Sequence, residues 1–358
     1  MKYMKKSFSE MKAYHSSLIT DGIILNANES PYQPPKKVID LFNEEIKKVE
    51  FNRYPDMDEV ELDKAIAKKF KIDPECVTSG VGSDELLDAT FRAILEPGDE
   101  ILGFSPSFSM YKIFAELVGA KYIAVTGDEN NLFNIDEMIK MMNNSKAKAV
   151  IICSPNNPTG QYFKKEDLIR LIKSTDKLVL LDFAYIDFAK EDYSKDMLQF
   201  DNTIVYRTFS KAMALPSIRC GYALSNKENI EMINAIKAPY SVTTLSQILA
   251  TIAISNYDLY KEQISLIKSE RDRLYKEFKN LGFDIYPSES NFFYIKMDDK
   301  YNEILENNKI YIRKFKSGIY RFNVGTVDEN NKLLEVIKNA KKWNYQKKNK
   351  RNRYCLSN

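Results

Sequence analysis

Histidine is nearly absent from this chain of 358 residues, which holds one, and cysteine is sparse, at four. A single histidine, His15, excludes a His-rich metal centre and leaves any Ser-His or Cys-His nucleophile dependent on one residue of the N-terminal segment. Proton transfer is therefore expected to run through another group. Cys76, Cys153, Cys220 and Cys355 stand far apart with no C-x-x-C spacing, so neither a disulfide framework nor a zinc site is indicated. They read as small buried hydrophobes, and no metal is expected. Long apolar runs are missing too: nothing approaches the roughly 18 consecutive apolar residues of a membrane span. The first ten residues lack an apolar core with a cleavage site, so a cytoplasmic location is expected. Charge of one sign is not in excess, with 53 Lys and Arg against 50 Asp and Glu. Seven of the basic residues lie in the acid-free stretch 341–358, which leaves the body of the chain slightly acidic and unlike a nucleic-acid binder. Glycine, with twelve in all, is scarce enough that one beside a polar turn is informative.

What is present describes an ordinary globular chain, 44% hydrophobic and 29% charged, long enough for about two domains and a cleft between them. Between about residues 75 and 235, short β-branched runs alternate with helical patterns, the signal of β-α units around a mostly parallel sheet. The runs at 100–104, 121–125, 149–153, 178–182, 203–206 and 220–224 are the expected strands. Several are apolar throughout, as strands covered on both faces must be. From Thr243 to Asn280 the pattern predicts a long amphipathic helix bridging two domains and ending at Leu281-Gly282. Short strands at 292–295 and 319–324 with a closing helix predict a smaller α+β domain. The division expected is an N-terminal segment with part of the small domain over 1–45, a large α/β domain over 46–245, the bridging helix and small domain over 246–343, and a poorly ordered basic tail over 344–358.

Four stretches carry candidate chemistry. Thr78-Ser79-Gly80-Val81-Gly82-Ser83-Asp84-Glu85 follows an expected strand and opens a helix, a geometry that aims backbone N–H groups and a helix dipole at a phosphate. Pro155-Asn156-Asn157-Pro158 places a rigid side-chain amide, Asn157, after a strand end, where α/β active sites lie. Leu181-Asp182-Phe183-Ala184-Tyr185 ends an apolar strand on an acid, with a phenol three residues on. Buried unpaired, that acid would cost several kcal/mol, so it calls for a cationic partner or solvent. Ser210-Lys211 places a lysine in an apolar stretch after a strand, a candidate for a lowered pKa and a Schiff-base amine. An acid, a phenol, an amide, a phosphate-shaped turn and such a lysine at strand ends of one sheet are what a pyridoxal phosphate site needs.

The ordered motifs N-A-N-E (26–29), R-Y-P (53–55), G-S-D-E (82–85), S-P-x-F (105–108), P-N-N-P-T-G (155–160), D-x-A-Y (182–185), S-K (210–211), R-x-G-Y (219–222) and R-F-N-V-G-T (321–326) resemble fold-type I pyridoxal phosphate aminotransferases. The resemblance is strongest to their histidinol-phosphate branch and runs from about Tyr14 to Trp343. It implies a large domain with a mostly parallel seven-stranded sheet between helices, a small α+β domain, and pyridoxal 5'-phosphate as cofactor. Lys211 would be the Schiff-base lysine and proton shuttle, Asp182 the partner of the ring nitrogen, and Asn157 with Tyr185 the partners of the ring's phenolate oxygen. Phe108 stands where the family stacks an aromatic, often Tyr, on the ring face. The phosphate cup would comprise the backbone and side chains of Ser83 and Asp84, the Ser210 hydroxyl and the Arg219 guanidinium, joined by Tyr54 from the neighbouring subunit of a homodimer. Arg321 would hold the substrate's carboxylate or phosphate, Arg313 and Tyr14 would contact the substrate phosphate, and Asn28 lies in the segment that covers the site.

The sequence departs from the family pattern at Phe183 (usually Glu), at Pro216-Ser217 (Ala-Gly), and at Ser30 and Ser241, where Asn is common. None removes a cofactor contact; they bear on substrate identity. The expected activity exchanges the amino group of L-histidinol phosphate with 2-oxoglutarate. The alternatives are transamination of aromatic or other amino acids, decarboxylation of a phosphorylated amino acid such as threonine phosphate, and a degenerate binding domain. The last is disfavoured by the complete set Lys211, Asp182, Asn157, Tyr185 and Arg219.

Overall fold

The computed structural model describes residues 3–5, 8, 19–128 and 132–342 in full, and the backbone of the closing helix as far as Cys355. The strands are β1 (Ile23–Leu25), β2 (Val77–Gly80), β3 (Glu100–Ser105), β4 (Lys121–Thr126), β5 (Ala149–Cys153), β6 (Leu178–Asp182), β7 (Thr203–Thr208), β8 (Gly221–Leu224), β9 (Asp284–Ile285), β10 (Phe292–Lys296), β11 (Ile310–Lys316) and β12 (Ile319–Asn323). The helices are α1 (Lys36–Glu45), α2 (Val60–Phe70), α3 (Gly82–Ile94), α4 (Met110–Leu117), α5 (Ile135–Asn144), α6 (Lys165–Lys173), α7 (Ser194–Met197), α8 (Lys227–Ile236), α9 (Thr244–Ser255), α10 (Lys261–Asn280), α11 (Asp299–Asn307) and α12 (Val327–Cys355).

Seven strands form one sheet in the order β2-β8-β7-β6-β5-β3-β4, in which β8 alone runs against its neighbours. This is the mostly parallel seven-stranded sheet the family resemblance implies. The all-apolar strands are explained by two cores, one on each face. Because side chains alternate along a strand, Ile101, Ile151, Leu180 and Ile204 pack with Leu87 and Phe91 of α3, Phe114 of α4 and Ile233 of α8. Their neighbours Leu102, Ile152, Leu181 and Val205 pack on the other face with Met138 of α5, Leu168 of α6 and Leu274 of α10. Edge strand β4 is only partly covered, and its sequence is correspondingly mixed.

The smaller sheet has the order β1-β11-β12-β10-β9, with β1 parallel to β11 and the remaining pairs antiparallel. The N-terminal segment thus supplies an edge strand to a sheet otherwise built from the end of the chain. The second core runs on without a break into this layer, through Phe292, Phe322, Leu333 and Ile337.

One expectation is corrected. The helix predicted over 243–280 is broken between α9 and α10. Asn256 turns its Nδ2 back to the Ile252 carbonyl at 2.8 Å, the competition with the helix backbone that makes Asn a poor interior residue. Tyr257, the next residue, donates to Asp187 Oδ1 at 2.6 Å, and Asp187 is itself paired with the buried Arg207 of β7 at 2.8 Å. That pairing pins the break to the large sheet. In the basic tail the backbone continues α12 to Cys355. Lys, Arg and Gln are good helix formers, and Leu333, Leu334, Ile337 and Ala340 anchor the preceding turns.

Candidate functional site

In the large sheet β2, β3, β5, β6 and β7 run the same way, so their carboxyl ends share one rim. The chain leaving each end carries a sequence-predicted group: Gly82 to Asp84 after β2, Phe108 after β3, Asn157 after β5, Tyr185 after Asp182 on β6, and Ser210-Lys211 after β7. These groups line a cavity of about 180 Å³, together with Ala27, Glu29, Cys153, Thr208 and Arg219. The fold therefore does what the motifs only suggest, gathering residues up to 192 positions apart in the chain.

Asp182 is buried, and each of its oxygens has one donor. The Ala184 backbone N–H reaches Oδ1 at 3.0 Å, and the Tyr111 hydroxyl reaches Oδ2 at 2.5 Å. Burial pushes its carboxyl up to about 6, with these two hydrogen bonds opposing the rise. Lys211 lies across the cavity, its Nζ 3.3 Å from the Ala27 carbonyl and 5.8 Å from the Tyr185 ring centre. Burial and the Arg321 charge bring its ammonium down to about 8, against the opposing pull of Glu29 and Asp84. The amine is thus neutral in an appreciable fraction near neutral pH.

Arg321 projects from β12 of the smaller sheet and donates to Asn157 Oδ1 at 2.6 Å and to the Asn26 carbonyl at 2.9 Å. Holding the amide by its oxygen leaves Asn157 Nδ2 as a donor toward other groups. Phe292 and Phe315 lie 5.4 and 5.6 Å from the Arg321 guanidinium. Asn28 donates through Nδ2 to the Tyr185 hydroxyl at 3.1 Å, and its own N–H bonds Asn323 Oδ1 at 3.2 Å. A wider groove of about 760 Å³ adjoins the cavity through Asp84, Phe108 and Asn157, and Arg313, Phe315 and Arg321 line it. Arg313 thus faces the outer groove and does not line the inner cavity. Tyr14 lies outside the described residues. Tyr54 lies apart from its own chain's cavity, 82% exposed and stacked on Tyr240 at 4.8 Å.

The residues fit pyridoxal phosphate on observations independent of the motifs. Helix α3 begins with no side-chain cap, so the first N–H groups of its opening turn are without an intrahelical acceptor, next to Arg219. Two glycines keep this pocket open. A Cβ at Gly221 would fall 2.3 Å from the Ser83 nitrogen, and one at Gly82, whose φ is +72°, 3.0 Å from Arg219 Nη2. One part of the expected cup is corrected. The Asp84 carboxylate faces Arg219 Nη2 at 3.3 Å, and as an acceptor carrying negative charge it is no phosphate ligand. Only its backbone N–H suits that task.

Sequence reasoning missed Tyr111 and Asn323. Asn323 stands within the quoted R-F-N-V-G-T motif and could have been found there. Tyr111 sits at an apolar helical position, where nothing distinguishes a working hydroxyl from a core aromatic.

The comparisons agree with this geometry. The sequence matches the family described as Aminotransferase class I and II over residues 20–337. It is 33% identical over 344 residues to a histidinol-phosphate aminotransferase of Thermoanaerobacter sp., covering 94% of this chain and 97% of that protein. Among solved structures, the histidinol-phosphate aminotransferase of Clostridium acetobutylicum superposes with a TM-score of 0.81 at 25% identity, covering 89% of this chain and 98% of that one. That of Sinorhizobium meliloti, solved in complex with pyridoxal-5'-phosphate, gives 0.81 at 22% identity over 89% of this chain and 91% of that one. With its fold, its lysine-bearing cavity and a family match spanning most of its length, the chain belongs to the class I and II aminotransferases, enzymes dependent on pyridoxal phosphate.

Proposed function

We propose that this aminotransferase exchanges the amino group between L-histidinol phosphate and 2-oxoglutarate, giving imidazole acetol phosphate and L-glutamate. The observation that carries this reading is the pair of arginines, Arg321 and Arg313, on neighbouring strands along one groove that opens into the Lys211 cavity. Two planar guanidinium forks suit a phosphate dianion better than a lone carboxylate. The names of the sequence relatives point the same way.

The cofactor supplies an electrophilic carbonyl and a ring that accepts electron density. Lys211 Nζ, lowered in pKa, would hold the cofactor and carry the substrate's Cα proton, which explains how a chain with one histidine manages acid-base chemistry. Asp182 would hold the ring nitrogen, and the Tyr185 hydroxyl and Asn157 Nδ2 the phenolate oxygen. Phe108 would pack on the ring and exclude water. The opening N–H groups of α3, with the hydroxyls of Ser83 and Ser210 and the Arg219 fork, would bind the phosphate. Asn28 steadies Tyr185 from the covering segment. Arg321 grips the substrate anion, with Arg313 further out.

We also infer a cytoplasmic homodimer. Phe51, 72% exposed, stands with Tyr54, Met57, Val60 and Tyr240 as large exposed apolar side chains of neighbouring segments, and a second copy would cover them and bring its Tyr54 to the phosphate. The described cysteines Cys76, Cys153 and Cys220 are free, in keeping with a reducing compartment.

The test is the absorption spectrum of the loaded protein titrated separately with L-histidinol phosphate, glutamate, tyrosine and phenylalanine. Histidinol phosphate should bleach the visible band at far lower concentration than the others. A lower requirement for an aromatic amino acid would replace the substrate, and release of carbon dioxide would replace the reaction.

A further inference from the structure

Tyr111 is fully buried on the first turn of α4, and its hydroxyl lies 2.5 Å from Asp182 Oδ2. Among the described residues no Lys or Arg nitrogen forms an ion pair with Asp182, so two neutral donors, Tyr111 and the Ala184 N–H, carry its charge inside the protein. A backbone N–H cannot be exchanged by evolution or adjusted by rotation, whereas the phenol can. Each carboxylate oxygen accepts along two lone-pair directions, so a bond from Tyr111 still leaves one direction of Oδ2 open. Burial and the charge of Asp182 raise the Tyr111 phenol well above its ordinary range, so it remains a donor at every working pH. The ring of Tyr111 also meets that of Phe108 edge to face, with centroids 5.5 Å apart at 83°. The start of a single helix therefore supports both the stacking aromatic and the carboxylate behind the ring nitrogen.

We propose that Tyr111 is the positioning residue of Asp182: its hydroxyl fixes the plane of the carboxylate and shares its charge, and so sets how firmly Asp182 holds the cofactor's ring nitrogen. This rests on the placement of Asp182 at that nitrogen in the proposed function. It does not depend on which amino acid is the substrate. Asp182 bonds the ring directly, and Tyr111 acts through it.

The decisive experiment compares the wild-type holoenzyme with Tyr111→Phe, using whichever amino donor the wild type accepts. The variant should bind pyridoxal phosphate about 5- to 20-fold more weakly, as expected for one lost bond to a charged group. Its kcat should fall about tenfold with KM for the donor within about twofold, the pattern of a group acting on the chemical step. The acid limb of the kcat profile should move to higher pH, since a carboxylate that loses a donor is protonated more readily. An analogue with carbon in place of the ring nitrogen separates position from packing: wild type and variant should bind it alike. Tyr206→Phe is the control. It removes another buried hydroxyl, one donating to Thr90 Oγ1 at 2.7 Å from the strand beside Asp182, and it should leave cofactor affinity and the pH profile unmoved. If Tyr111→Phe does not fold, 3-fluorotyrosine at position 111 keeps the ring and strengthens the donor, and the acid limb should then move to lower pH. Equal weakening for cofactor and analogue, an unshifted pH profile, or a fluorotyrosine shift in the other direction overturns the proposal. A wild type that fails to bind the cofactor overturns the functional reading instead.

Discussion

The rim of the large sheet and the wall contributed by the small sheet meet at one cavity, and they are held in different ways. On the rim, Asp182 ends strand β6, and Asn157 and Lys211 follow β5 and β7 by four and three residues, so the strand ladders fix where each side chain starts. On the wall, Arg321 and Asn28 are placed by side-chain bonds that cross between layers, to Asn157, Asn26, Tyr185 and Asn323. The difference teaches which part of the site is rigid by construction and which depends on the two layers staying in register. On the proposed function, cofactor chemistry belongs to the first and anion recognition to the second.

The comparison breaks most visibly at Lys211. Lys211→Ala should lower turnover by about 10⁴-fold or more, through loss of both nucleophile and proton carrier, with an unchanged circular dichroism spectrum. Normal turnover in that variant would remove the lysine from the chemistry. Asp182→Asn, still on the rim, should cost on the order of a hundredfold in kcat, as for loss of one preorganised electrostatic contact. The same change should stabilise the cofactor-free protein at pH 8. The folded carboxyl sits at about 6 against an ordinary 3.8, so the folded state binds the extra proton. Stability present below pH 4 is then lost as pH rises through 6, and removing the charge should restore about 1–3 kcal/mol, read from urea midpoints at pH 4 and pH 8.

Crossing to the wall, Arg321→Gln should raise KM for the anionic substrate about 30- to 100-fold, the worth of a charge-assisted pair, while pyridoxal phosphate affinity changes only a few-fold. Equal losses in both would erase the distinction between rim and wall. The smallest effect is expected at Asn28→Ala. Losing its bond to Tyr185 should cost about 1 kcal/mol, seen as a few-fold drop in kcat/KM.

The same division explains what the sequence revealed. Lys211, Asp182 and Asn157 are legible because each follows an apolar strand at a fixed short spacing, and spacing survives in a linear text. Most strands of the large sheet were readable for a related reason, since burial on both faces writes a largely apolar run, whereas the partly covered edge strand β4 is mixed. The break at Asn256 was not, because it depends on Tyr257 meeting Asp187, 70 positions away. Tyr111 was hidden likewise, its hydroxyl meeting an acid 71 positions on. The Asp84 side chain was misassigned because the sequence gives its neighbourhood but not its facing partner, Arg219. Arg321, on the wall, was named from a motif, yet its grip on Asn157 needed the two sheets side by side.

The apolar cluster that passes from Leu62 on α2, beneath the large sheet and on to Ile337 on α12, has a consequence for how the protein melts. The two sheets share that interior, so neither can detach without exposing the hydrophobic face of the other to water. Heating should give one cooperative transition for both layers, and a fragment cut between α9 and α10 should yield two sticky halves rather than two small folded proteins.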